Sequence, residues 1–194
     1  MAVSLGYDGL IPYMYFDGSS YYIPPDAHGV ILGTESYVPS AQRGLTLGCW
    51  VKKTATGSFQ GLITKYHNSV ATERSYVLDI TSTEHGRLLV SQNGSAVEGK
   101  ENTSSAMNTT DWYFVVGRWN TSGYAVWLDD TKETGATTLT SIYNSSAVLS
   151  FGGLNGSVTS SFTGYMAYPF ICASSLSDAT IEHLWQVSRS LFGK

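Results

Sequence analysis

Residues 112–130, WYFVVGRWNTSGYAVWLDD, constrain the fold more than any other stretch of this chain. Two aromatic-rich runs flank a short polar turn that holds Gly123. Apolar runs joined by a Gly-containing turn read as a β-hairpin. Successive side chains on a strand point to opposite faces. Trp112, Phe114 and Val116 therefore share one face of the first run, and Tyr113, Val115 and Trp119 share the other. A sheet with one wet face would alternate apolar and polar residues. This strand requires cover on both sides, the second from loops, a further small sheet or another subunit.

Composition agrees with a strand-built, packed chain. Of 194 residues, 42% are hydrophobic and 13% charged, against about 25% charged in ordinary globular chains. Disorder needs the opposite balance. The length fits one domain, residues 1–194, with a sizeable core. Thirteen Tyr, five Trp and 20 Gly, beside many Ser and Thr, favour strands and turns over helices. The net charge is −4. No dense Lys/Arg cluster supplies the electrostatic footprint of nucleic-acid binding, so no nucleic-acid partner is expected. No apolar run approaches the ~20 residues of a membrane helix, so no membrane insertion is expected. The first 16 residues carry no basic segment followed by an apolar run and a small-residue cleavage site, and do not read as a secretory signal. Such a leader was removed, or the protein reaches the outside by another route, such as virion assembly and lysis.

Short β-rich runs between Gly, Ser, Asn, Thr and Pro clusters predict strands near 13–17, 20–23, 29–33, 45–53, 59–66, 75–81, 87–92, 112–119, 123–129, 148–152 and 162–173. Short, evenly spaced strands suggest a sandwich or jelly roll. The polar stretch 93–110 reads as a loop. One helix is expected near the C-terminus, with Ser177 or Asp178 as N-cap. Its stripe is Ile181, Leu184, Trp185 and Ser188.

Several segments, in order, carry a resemblance. They are YFDG and YYI at 15–18 and 21–23, LTLGCWVKK at 45–53, FQGLITKY at 59–66 and RLLVSQ at 87–92. The 112–130 hairpin, LSFGG at 149–153, FTGYMAYPFICASS at 162–175 and the helix at 176–185 follow. Together they resemble the concanavalin A-like lectin/glucanase superfamily, in its laminin-G-like and pentraxin-like branch. The resemblance covers residues 13–186. It implies an all-β fold: a two-sheet antiparallel β-sandwich, a concanavalin A-like jelly roll, with one short C-terminal helix. Pentraxin-like relatives join a Cys at the Cys49 position to one that here aligns near Val116. That bridge is absent; Cys49 and Cys172 could still meet, a pairing that sequence does not fix, and otherwise read as two buried thiols acting as small hydrophobes.

Hydrolases of this superfamily carry E-x-D-x-x-E or E-x-D-x-E on a strand, which sets alternate carboxylates on one face. No such motif occurs here, and Asp79 stands alone in SYVLDIT. His28, His67, His85 and His183 sit apart, and no nucleophilic constellation stands out. The chain is therefore expected not to be an enzyme. Many relatives hold Ca²⁺ with Asp, Asn and carbonyl oxygens, suited to a hard cation. Asp17, Asp129 and Asp130 are the candidate metal ligands here. The family's further Asp falls near Ala167, so no cofactor is expected, and calcium is the one to test. As turn residues, these aspartates would bond their own backbone.

Sugar recognition uses an aromatic platform with a few oriented polar groups. Tyr13, Tyr15, Tyr21, Tyr22, Tyr37, Tyr66, Trp127 and Tyr143 could supply it, and Trp127, Tyr143 and Tyr66 are the chosen binding residues. Two functions follow. The first is a non-catalytic structural or recognition protein of a bacteriophage virion surface, a capsid decoration or fibre subunit. Its partners would be capsid or tail proteins and surface glycans, and it would be a homo-oligomer. The second is a carbohydrate-binding lectin module acting extracellularly, with or without Ca²⁺. Fold alone does not choose between them.

Overall fold

Two antiparallel sheets face each other. The computed structural model describes residues 3–24, 44–67, 69–70, 72–154 and 160–194. The strands are β1 (Val3–Asp8), β2 (Ile11–Asp17), β3 (Gly44–Lys53), β4 (Gln60–Tyr66), β5 (Arg74–Ile80), β6 (Gly86–Val90) and β7 (Glu98–Asn102). They continue as β8 (Tyr113–Asn120), β9 (Gly123–Leu128), β10 (Thr131–Gly135), β11 (Leu149–Phe151) and β12 (Thr163–Cys172). Helix α1 (Asp178–Ser188) and a 3-10 turn (Arg189–Phe192) end the chain. One sheet has seven strands in the order β1-β2-β12-β3-β8-β9-β10, the other five in the order β11-β4-β5-β6-β7. Among the described residues, no helix is long and apolar enough to cross a membrane.

The alternation on β8 builds two separate cores. Tyr113, Val115 and Trp119 face the five-stranded sheet and join Leu47, Cys49, Leu78, Leu88 and Phe162 between the sheets. Trp112, Phe114 and Val116 face away, into a second core with Trp50, Trp127, Ile181, Trp185 and Phe192. The cover for that second face is intramolecular. It is α1 and the terminal turn, rather than a further sheet or a loop. Gly117 of β8 lets the sheets approach, since a Cβ there would lie 2.8 Å from the Leu88 Cβ.

Helix α1 starts at the expected cap, where Ser177 Oγ accepts from the Thr180 N–H at 3.1 Å. Ile181 and Trp185 point into the second core. Ser188 Oγ accepts from Trp50 Nε1 at 3.0 Å, so the polar member of the stripe satisfies a buried donor.

Four expectations need correction or completion. Strands β1, β7 and β10 were not anticipated, and β7 lies inside the stretch read as a loop. β7 (EGKEN) and β10 (TKETG) lack apolar alternation because each is a sheet edge. The two edges meet: Lys100 Nζ lies 2.6 Å from Glu133 Oε2, and Asn102 Nδ2 donates to Val126 O and Thr131 O, each at 2.9 Å. The strand expected at 20–23 reduces to an isolated bridge between Tyr22 and Phe151. The strand expected at 29–33 and the candidate Tyr37 lie outside the described residues. Cys49 and Cys172 are both free. Cys172 pairs in register with Thr46, three residues from Cys49, so the two thiols point to opposite faces of one sheet.

Candidate functional site

The outer face of the five-stranded sheet carries the candidate site. On β5, Tyr76, Leu78 and Ile80 point into the inter-sheet core, which turns Val77 and Asp79 outward. On β6, Leu88 and Val90 point inward, and Arg87 and Leu89 outward. Asp79 and Arg87 are register partners across the β5–β6 hairpin. Directly opposite residues on one face are close enough to interact, and here they form a fork-to-fork pair. Arg87 Nε donates to Asp79 Oδ1 at 3.0 Å and Nη2 donates to Oδ2 at 2.6 Å.

Aromatic and apolar groups wall this pair. Phe59, Tyr66, Val77, Leu89, Leu154 and Ser160 surround it in a pocket of about 180 Å³. The Arg87 guanidinium lies 4.9 Å from the Phe59 ring centroid, and Phe59 keeps 44% of its surface exposed. Asp79 is only 3% exposed. Burial pushes its carboxyl above the usual aspartate range, while the Arg87 hydrogen bonds and charge pull it back. On the next strand, Glu101 is the register partner of Arg87. Its Oε1 accepts from Thr81 Oγ1 at 2.9 Å and lies 3.0 Å from His85 Nδ1. The face thus reads acid, base, acid across three strands.

Of the three expected binding residues, Tyr66 lines this pocket, with the Arg74 guanidinium 5.3 Å from its ring centroid. Trp127 does not belong to it. It is 1% exposed in the second core on the other sheet, with Arg118 and Lys132 cations 5.0 and 5.7 Å from its ring centroid. No face of that ring is open to a sugar. Tyr143 is half-buried, its N–H bonded to Ser91 O, and its ring lies over Gly94. Phe59, Asp79 and Arg87 were not chosen from the sequence.

The three aspartates considered for calcium do not converge. Asp17 Oδ1 accepts from the Ser19 N–H at 2.9 Å and from Ser19 Oγ at 2.7 Å, the turn role expected of it. The Ser19 hydroxyl and then its N–H hold the Asp17 carboxyl below its ordinary value. Asp129 Oδ1 accepts from the Phe114 N–H at 2.9 Å, and Oδ2 pairs with Lys194 at 2.8 Å. Four strand spacings separate β2 from β9, about 19 Å at ~4.8 Å each. Among the described residues, no three His, Cys, Asp or Glu side chains group as a metal site. These residues do not fit a calcium ion, which takes six to eight oxygen ligands.

A family profile matches residues 25–182 of this chain, which include strands β3 to β12. The chain belongs to the concanavalin A-like lectin/glucanases superfamily. Proteins of known structure share its fold at low sequence identity. A CBM40 module of the Ruminococcus gnavus IT-sialidase, solved with α2,3 sialyllactose, has a TM-score of 0.66 at 15% identity, over 89% of this chain and 95% of that one. Domain 4 of a GH43 extracellular arabinanase from Geobacillus stearothermophilus, solved with arabinotriose, has a TM-score of 0.62 at 15% identity, over 96% and 82%. A heptameric SAP-like pentraxin from Limulus polyphemus has a TM-score of 0.57 at 13% identity, over 80% and 79%. No curated protein sequence matches the chain.

Proposed function

We propose that this superfamily member is a non-catalytic carbohydrate-binding module whose Asp79–Arg87 pocket takes a neutral sugar. The observation that carries the reading is the charge-balanced pair at the base of an aromatic-walled pocket. Its carboxylate accepts from sugar hydroxyls and its guanidinium donates to them. Phe59 offers an exposed ring for the apolar face of the sugar. The two modules above, solved with bound oligosaccharides, support the reading by fold.

Two observations favour binding over hydrolysis. Both Asp79 oxygens are engaged by Arg87, and Glu101 Oε1 is engaged by Thr81, Thr83 and His85. A glycosidase needs one carboxyl free to protonate the leaving oxygen and another free to attack or activate water. The first function expected from the sequence, a virion scaffold, would be favoured by an obligate oligomer with a buried aromatic face, and α1 covers the second face of β8 within the chain. Surface glycans are the partners this reading implies, on a virion or outside a cell.

A glycan array with wild-type protein and Phe59→Ala tests it, with Ca²⁺ and again with EDTA. The expected result is selective neutral-glycan binding that survives EDTA and weakens several-fold in Phe59→Ala. Binding lost in EDTA, binding unchanged in the variant, or no neutral glycan bound would each overturn it.

A further inference from the structure

The opposite sheet carries a second cleft, of about 410 Å³, lined by Tyr7, Tyr13, Lys52, Thr54, Trp112 and Tyr165. Sheet register builds it. Tyr165 of β12 pairs with Tyr15 of β2 on one side and Lys52 of β3 on the other. Tyr13 stands two residues from Tyr15 on the same face, and its ring meets Tyr165 edge-on at 5.0 Å. Gly6, opposite Tyr13, leaves room for that ring, since a Cβ there would sit 2.7 Å from it. Trp112 closes the floor, 6.4 Å from Tyr165 and 5.0 Å from Phe192.

The two adjacent lysines of β3 are treated differently. Lys53 points into the sandwich and pairs with Glu84 at 2.7 Å. Lys52 points into the cleft, and among the described residues it has no carboxylate within ion-pair reach. Asp111 feels its field, but the Asp111 carboxylate is bonded by Asn108 Nδ2 at 2.6 Å and by Thr110 Oγ1 at 3.3 Å. Lys194 is held by Asp129. Among the described residues, the hydroxyls of Tyr7, Tyr13, Tyr165 and Thr54 also lack protein hydrogen-bond partners. The cleft therefore presents one ammonium and four hydroxyl groups over an aromatic floor, and no carboxylate lines it.

We infer that this cleft is a second carbohydrate site, independent of the Asp79–Arg87 pocket, and that it takes an acidic sugar: a pyranose bearing a carboxylate or sulfate. The anion pairs with Lys52 and accepts from the tyrosine hydroxyls. The apolar face of the ring lies against Tyr165 and Trp112. The volume lies within the 300–1,000 Å³ typical of ligand pockets. A charge-assisted hydrogen bond from Lys52 is the strongest single contact available. The charge-balanced pocket has no such surplus of positive charge, which separates the two sites by ligand class.

The test is an array printed with uronate, sialylated and sulfated glycans beside neutral ones. It is probed with wild type, Lys52→Met, Tyr165→Phe and Phe59→Ala, each checked by thermal unfolding. The expected result is that wild type retains at least one acidic glycan, more weakly at high salt. Lys52→Met loses it at least about tenfold, Tyr165→Phe loses less, and Phe59→Ala keeps it. Wild type that ignores every acidic glycan overturns the inference, as does acidic-glycan binding untouched by Lys52→Met and Tyr165→Phe. Neutral-glycan binding that falls only in Phe59→Ala, with acidic glycans ignored, upholds the first site and overturns this one. An array silent throughout overturns both.

Discussion

Trp50 and Phe192 stack face to face, with ring centroids 4.0 Å apart and planes 10° from parallel. The contact joins the middle of β3 to the last turn of the chain. Trp185 stacks on Trp50 as well, at 5.2 Å, and Phe114 packs beside it at 5.3 Å. The C-terminal segment therefore completes an aromatic layer on the outer face of the seven-stranded sheet. Without it, Trp50, Trp112 and Phe114 would form an exposed apolar patch of the kind that drives association.

Phe192→Ala should cost about 3–5 kcal/mol, the range for truncating a buried Phe. Phe192 is buried and touches Trp50, Trp112 and Tyr168. Urea unfolding followed by tryptophan fluorescence measures it. An unchanged midpoint would mean that the terminal turn does not stabilise the fold.

Docking of α1 should weaken in acid. The Lys132 hydrogen bond, and after it Arg118, holds the Asp178 carboxyl below its ordinary 3.8. A lowered folded-state pKa gives stability that is present above the unfolded value and lost as pH falls through the folded one. The loss should therefore begin below about pH 3.8. Asp178 is partly exposed and screened, so the effect is modest and smaller in high salt. Thermal melts of wild type and Asp178→Asn from pH 7 to pH 2 should converge at the acid end.

Thiol reagents should separate the two cysteines. Complete burial pushes the Cys49 thiol far up, and partial burial pushes Cys172 up less. The thiolate is the reactive form. Cys172 should be alkylated slowly in the native protein, and Cys49 only after unfolding. Mass spectrometry of native and urea-treated samples reads this directly.

Arg87→Leu should destabilise by about 3 kcal/mol at pH 7, because it leaves the Asp79 carboxylate buried without its partner. With Arg87 gone, burial and then the Glu101 charge act on Asp79 unopposed and raise its folded-state pKa further. A raised folded pKa means stability that is full below the unfolded value and lost as pH rises through the folded one. The deficit of the variant should therefore shrink from pH 7 towards pH 4. Denaturant titrations at both pH values measure it, and a deficit that grows in acid would contradict the assignment.

The strands legible in the sequence are those buried on at least one side. β3, β4, β5, β8 and β9 carry dense apolar residues, so their positions follow from composition alone. β7 and β10 are polar, since an edge strand is held by backbone pairing and needs little apolar surface. Nothing in EGKEN or TKETG distinguishes such a strand from a loop. Tyr66, which lines the Asp79–Arg87 pocket, and Trp127, which is buried in the second core, were not separable in the sequence. Both are aromatic residues of central strands, and only packing decides which ring is covered. The Asp79–Arg87 pair left a usable signal. Strands expected at 75–81 and 87–92 with a short connection fold back as a hairpin, which sets Asp79 near Arg87. Read singly, Asp79 looked solitary.

By itself the sequence determined the class of structure: short strands, a two-faced aromatic β8, a capped terminal helix and membership of a lectin-like superfamily. Periodicity and capping are local properties, so they survive in one dimension. Tertiary structure alone decided that α1 rather than a partner covers the outer sheet, and that Lys53 is buried while its neighbour Lys52 opens into a cleft. It also decided which acidic residues meet a cation and which merely close a turn. These outcomes depend on register between strands distant in sequence. Shifting that register by one residue would turn every side chain to the other face.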